Sequence, residues 1–220
     1  MTPLQIRLLG LATIGEALLF NLAFARLAAR FDYPDILRRP AGEVLERFAA
    51  GGPGLILDWY GLAASALLMV PIALGLALRS DILRPRQVAA AILGSLAGMA
   101  QAIGLLRWVF AVPALAALPH ADAAAFTLLN QWGGVAIGEH IGALATAGFL
   151  IVMAPLLGGP IARLLARSSA ALMILGAGEG LMLAIGKDGS LLGLAAMSGF
   201  LGFSGWLVLT GVGLMRRPVP

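Results

Sequence analysis

The chain contains no cysteine and two histidines, and only 12% of its 220 residues are charged. Without cysteine it forms no disulfide, no thiolate metal site and no cysteine nucleophile. Two histidines, one of them (His120) in a loop between apolar runs, do not supply the paired axial ligands common in membrane haem proteins. A two-histidine zinc motif and a phosphate-binding glycine loop are also missing, so no metal and no cofactor is expected. A charged fraction near half of the usual one-quarter leaves too little polar surface to cover a soluble globule.

What fills the sequence instead is apolar: 60% of the residues are hydrophobic and the mean hydropathy is +0.94. Ordinary soluble domains are about 45–50% apolar. Folding at this size buries only about 70–75% of the exposable surface. The composition therefore describes an integral membrane protein whose main partner is the lipid bilayer. The net charge of +4 and pI near 10.6 would point to nucleic acid in a soluble protein. In a membrane protein the same excess is expected from cytoplasmic Lys and Arg, and no nucleic-acid partner is expected. The bias towards Ala, Gly, Leu and Arg suits a bacterial inner membrane.

A membrane helix needs about 20 mainly apolar residues. Six stretches qualify, approximately 4–28, 55–78, 88–112, 133–157, 170–186 and 191–214. They predict an all-α integral membrane protein, a six-helix bundle forming one polytopic domain over 1–220. Ala23-Phe24-Ala25 has the small-x-small form of a signal-peptide cleavage site, but Glu16 interrupts the preceding run, so an uncleaved first span is expected. Arg79, Arg84 and Arg86 follow span two, Arg163 and Arg167 follow span four, and Arg216 and Arg217 follow span six. The opposite side has no Lys or Arg from Pro113 to Trp132 and only Lys187 beyond span five. By the positive-inside rule both termini face the cytoplasm.

The outer loop 29–54 interrupts this pattern with charges of both signs. Pro40 opens a helix there, with Leu37, Ala41, Val44, Leu45 and Phe48 on one face, and Gly51-Gly52-Pro53-Gly54 ends it. Such a helix either lies flat in the membrane interface or forms a lid over an outer cavity. A second short helix is expected after Asp122 as N-cap. Gly134, Gly138, Gly142 and Thr146 form a ladder of small side chains at four-residue spacing, the mark of a close helix-packing face.

Polar residues within apolar spans carry the functional signal. These are Glu16, Gln101, Arg107, Glu139, His140 and Glu179, with Asp58 at the outer end of span two. A charge at mid-bilayer costs about 2.5–3.5 kcal/mol on insertion scales, so such groups pair or line a cavity. Glu16 and Glu179 are expected near mid-membrane, and Asp58, Arg107, Glu139 and His140 in the outer half. Arg107 has two expected partners, Glu139 and Asp58, in a structural ion pair or in a pocket for a small solute or protons. Glu139 and His140 line adjacent walls. His140 either binds protons or bonds a neighbouring helix. Glu16, Glu139 and Glu179 each follow a glycine, but no longer internal repeat accompanies them.

Three function classes follow. The first is a pocket protein that binds or transports a small solute or protons through these seven residues. The second is a sensor or partner protein, or a homo-oligomer, acting through the Gly134-to-Thr146 face. The third is an intramembrane enzyme. Gly202-Phe203-Ser204-Gly205 matches the motif of rhomboid-like intramembrane proteases, but those use a histidine on a later span and none follows His140. No catalytic residue is therefore assigned.

Several segments together resemble a known family. They are Phe31-Asp32-Tyr33-Pro34-Asp35-Ile36-Leu37-Arg38, Gly51-Gly52-Pro53-Gly54, Trp59-Tyr60, Gly104-Leu105-Leu106-Arg107-Trp108 and Gly134-Val135-Ala136-Ile137-Gly138-Glu139-His140. The chain is similar over nearly its whole length to the bacterial multi-pass membrane proteins labelled domain of unknown function 4386. In that family a histidine often stands four residues after a phenylalanine, where this chain has Phe126 and Asn130. The resemblance implies a multi-helix membrane fold and no particular activity.

Overall fold

A computed structural model of the protein describes residues 1–79, 84–118, 123–157 and 159–216. Its elements are α1 (Pro3–Phe31), a 3-10 turn (Asp35–Arg38), α2 (Ala41–Ala77), α3 (Pro85–Phe110), α4 (Val112–Ala116), α5 (Ala123–Leu129), a π-helical segment (Asn130–Ile141), α6 (Gly142–Met153), α7 (Pro160–Gly176), α8 (Gly178–Ala184) and α9 (Ser190–Met215). No strand occurs among the described residues. Six helical stretches are long and apolar enough to cross a membrane: Pro3–Phe31, Ala41–Ala77, Pro85–Ala116, Ala123–Met153, Pro160–Ala184 and Ser190–Met215.

Each span packs against its neighbours in sequence, and α9 returns to pack against α1, so the six close into a ring. The pattern of α1 shows why. Leu9, Thr13, Glu16, Ala17, Ala23 and Leu27 fall on one side of the helix and are buried. Leu4, Leu8, Leu11, Leu18 and Leu22 stand on the other face and are exposed. That outer face carries apolar side chains, as a helix facing lipid requires. The seam between α1 and α9 is tight because both sides are glycine: a Cβ on Gly10 would lie 2.8 Å from the Gly211 carbonyl oxygen.

Two cores divide the ring along its axis. At the end bearing the α2–α3 and α6–α7 connections, all six spans contribute to one cluster, including Leu76, Ala90, Leu150, Met173, Trp206 and Leu214. Towards the other end, Leu27, Phe31, Ile36, Val44, Phe48, Trp59 and Trp108 form a second. This second core joins α1, α2 and α3 to the α1–α2 connection and leaves the α7–α9 side unfilled.

The outer loop is resolved into two parts with different tasks. α1 ends on Asp32 in left-handed geometry (φ 58°), and Asp32 then pairs with Arg39 and Arg47. Ala41 begins the amphipathic helix, which breaks at Gly52 (φ 63°, ψ −167°), a conformation open to glycine. Its apolar residues Val44, Leu45 and Phe48 are buried against the protein, with Phe48 edge-on to Phe31. The helix therefore does not lie flat with its apolar face in lipid. It buttresses the shorter segment 33–38, which covers the ring.

The starts of spans four and five move. The fifth span starts at Pro160 rather than residue 170, because Arg163 and Arg167 sit exposed on its first turns and do not interrupt the helix. Glu179 consequently lies near the end of that span and not at its centre. The short helix placed after Asp122 is the first part of span four, since α5 runs directly into the π segment. Asp122 and His120 lie outside the described residues.

Candidate functional site

A cavity of about 170 Å³ occupies the unfilled end of the ring. It exceeds the roughly 150 Å³ engineered cavity that suffices for benzene. Phe20, Phe24, Leu62, Leu105, Met197 and Phe200 supply apolar wall, and Gln101, Arg107, Glu139, His140 and Glu179 supply the polar groups. The segment Tyr33–Arg38 lies across it, contributing Tyr33, Pro34, Leu37 and Arg38. Of the seven residues expected to share a pocket, five do.

The other two are placed elsewhere, for identifiable reasons. Asp58 is buried and accepts hydrogen bonds from Arg26 Nε and Arg30 Nη1, each at 2.6 Å. These arginines lie four residues apart on α1, one turn, so they straddle the same carboxylate. Glu16 faces a separate small cavity with Met69 and Ser204, which shares Phe20, Gln101 and Phe200 with the main one. Its Oε2 is buried without a hydrogen-bond partner. Among the described residues no histidine lines that small cavity beside Ser204.

Arg107 pairs with neither Asp58 nor Glu139. Its Nη1 donates to the Gly104 carbonyl, and its Nη2 donates to Asn130 Oδ1 at 2.9 Å. The side chain turns back along its own helix and lies against Gly134, where any larger residue would displace the guanidinium. Its carbon Cζ sits 5.2 Å from the Trp108 ring centroid. The residue is 92% buried (8% exposed), and Nε has no partner.

Glu139 is claimed by Arg38, a residue that reading the spans alone did not bring to the site. Arg38 Nη2 donates to Glu139 Oε2 at 3.0 Å, and Nε donates to Glu179 Oε1 at 3.0 Å. Burial works against the Arg38 charge, but the two carboxylates outweigh it and raise its pKa. Beside it, burial and then the Glu139 charge push the Tyr33 phenol up to about 12, so its hydroxyl remains protonated. Tyr33 meets the Trp59 ring edge-on at 5.1 Å, and Trp59 stacks on Trp108 at 4.6 Å. The signal for this segment in the sequence was the Asp-Tyr-Pro-Asp run at 32–35, three residues before Arg38.

The small-residue ladder is a packing face, turned inwards. Gly138 meets Gly104 backbone to backbone: a Cβ on Gly104 would lie 2.7 Å from the Gly138 Cα. Gly142 faces Gln101, whose Nε2 donates to Thr146 Oγ1 at 2.9 Å. Spans three and four therefore consume the face through which a partner or second copy was expected to bind. The π segment Asn130–Ile141 was not foreseen. It widens the helix where Gly134, Gly138, Glu139 and His140 meet the cavity, and such departures from α geometry often occur at functional sites. His140 Nδ1 donates to the Ala177 carbonyl at 2.7 Å, across the junction between α7 and α8. That bond bridges two helices, one of the two roles expected for His140. Among the described residues no cluster of His, Asp and Glu is arranged to hold a metal ion.

Fold and site define a polytopic α-helical membrane protein with a closed ring of spans and an amphipathic cavity at one end. Comparison with family models, curated proteins and solved structures gave no match.

Proposed function

We propose that the protein is a membrane receptor site for a small amphipathic molecule, held in the ring cavity beneath the Tyr33–Arg38 segment. The observation that carries this reading is the cavity itself: apolar walls with charged groups of both signs collected at one end. Pockets for small molecules have this composition, a mainly apolar lining with a few placed polar groups. The closed core at the opposite end supports binding from one side. The side-chain exposure of Glu139 (36%) and Arg38 (30%) supports entry past the covering segment.

The segments that resemble the family labelled domain of unknown function 4386 add support. Tyr33, Arg38, Trp59, Arg107, Trp108, Glu139 and His140 all come from them, and all line the cavity. On this reading the cavity opens to the outer side of a bacterial inner membrane, with both termini cytoplasmic, following the arginine distribution.

Calorimetric titration of the protein in lipid nanodiscs with 3-phenylpropanol, a compact neutral amphiphile, tests the reading. Saturable binding is expected, and Met197→Trp, which fills the cavity from its apolar wall, is expected to abolish it. Binding undiminished by Met197→Trp would refute the cavity as the site.

A further inference from the structure

The charged groups of the cavity do not cancel locally. On one side a single guanidinium, Arg38, serves two carboxylates, Glu139 and Glu179. That corner is one negative charge in excess. On the other side Arg107 is buried with a carbonyl and an amide oxygen as its partners, and among the described residues it makes no ion pair. That corner is one positive charge in excess. A guanidinium so deeply buried is costly unless an anion meets it. Three residues of the cavity lining also carry unused donors: Arg107 Nε, Trp108 Nε1 and Trp59 Nε1 are buried without acceptors.

The two corners are close along the chain. The Arg107 guanidinium rests on Gly134, and Glu139 follows five residues later in a π segment, whose hydrogen bonds join residues i and i+5. The corners are therefore about one helical turn apart. His140 spends its Nδ1 on the Ala177 carbonyl. Phe20, Leu62 and Phe200 supply apolar wall to the same cavity.

We infer that the ligand is an apolar zwitterion, carrying an ammonium group for the Glu139–Glu179 corner and an adjacent carboxylate for Arg107, as an apolar α-amino acid does. This rests on the cavity reading above and names its ligand class. A carboxylate presents acceptors to the guanidinium in the geometry that arginine favours. The ammonium group offers the donors that the shared carboxylates lack. A neutral or singly charged molecule leaves at least one corner unmatched.

Four probes with one phenyl ring and a short chain separate the alternatives in nanodiscs: phenylalanine, 3-phenylpropanoate, 2-phenylethylamine and 3-phenylpropanol. Phenylalanine is expected to bind at least tenfold more tightly than each of the others. Arg107→Gln is expected to erase its advantage over 2-phenylethylamine. Because Arg107 is buried and that variant is prone to misfold, Asn130→Asp provides the second test. It places a carboxylate where the amide now accepts from Arg107, filling the anion's place without changing side-chain size. Asn130→Asp is expected to weaken phenylalanine at least tenfold and to leave 2-phenylethylamine undiminished. If 3-phenylpropanoate or 2-phenylethylamine matches phenylalanine, or Asn130→Asp leaves the preference intact, the zwitterion inference is overturned. The cavity reading then still stands, provided Met197→Trp blocks whatever binds. If no probe binds, or Met197→Trp blocks none, both are overturned.

Discussion

Replacing Arg38 by methionine keeps an unbranched stem over the cavity and removes one guanidinium from between two carboxylates. In the structure that guanidinium makes two charge-assisted contacts, each at 3.0 Å. Hydrogen bonds to charged groups contribute about 1.5–3 kcal/mol when sheltered, and exposed ion pairs about 0–1 kcal/mol. Arg38 and Glu139 are each about a third exposed, while Glu179 is 15% exposed, which places the pair of contacts between those limits. A loss of about 2 kcal/mol follows. For a chain of this size that corresponds to a melting temperature lower by about 4–8 °C. Thermal unfolding in detergent micelles, followed by tryptophan emission, reads it directly. The fold should survive, because Ile36 is fully buried and Tyr33 stays packed on Phe24 and Trp59. Part of the loss comes from leaving Glu139 and Glu179 side by side, so adding Glu139→Gln and Glu179→Gln to Arg38→Met should recover at least half. An unchanged melting temperature in Arg38→Met, or a triple variant less stable than the single one, would refute the electrostatic account.

Two further outcomes test the fold. Gly104→Ala drives a Cβ to 2.7 Å from the Gly138 backbone, so spans three and four must separate, at a cost of about 1–3 kcal/mol. Gly15→Ala, with nothing within 4 Å of the new methyl, should show no loss by the same melting assay, and equal behaviour of the two variants would deny the close approach. The absence of cysteine makes topology simple to read with single introduced thiols at two exposed positions. Lys187→Cys should react with an impermeant maleimide added to intact cells and Arg86→Cys only after permeabilisation; the reverse pattern would invert the proposed orientation.

The spans were legible because about 20 consecutive apolar residues admit few structures other than a membrane helix. Their ends were less so. Arg163 and Arg167 read as loop residues, yet a helix carries arginine readily when the side chains point out of the bundle, as both do here. The site was legible as an inventory: Gln101, Arg107, Glu139, His140 and Glu179 do converge. Its pairing was not, because the ion pairs depend on where 33–38 folds back, and that position is set by burial of Ile36 in a core of distant residues. Arg38 therefore reached Glu139 ahead of Arg107. Asp58 was likewise taken by two arginines from α1, at the edge of a span where sequence distance gives no warning of contact. The inward-facing glycine ladder was visible as a pattern, but its partner, Gly104 on span three, became apparent only with the helices in register.

The meeting of α1 with α9 has a consequence for how such a protein is made. Of the six spans, the earliest synthesised is sealed by the one synthesised last. Until α9 leaves the insertion machinery, the inward face of α1 has no companion on that side, and its Glu16 stands at an open flank of an incomplete bundle. The ring of these six spans closes at the Gly10–Gly211 contact. Before that contact forms, the inward face of α1, with its buried Glu16, lacks the cover that α9 gives it in the closed ring.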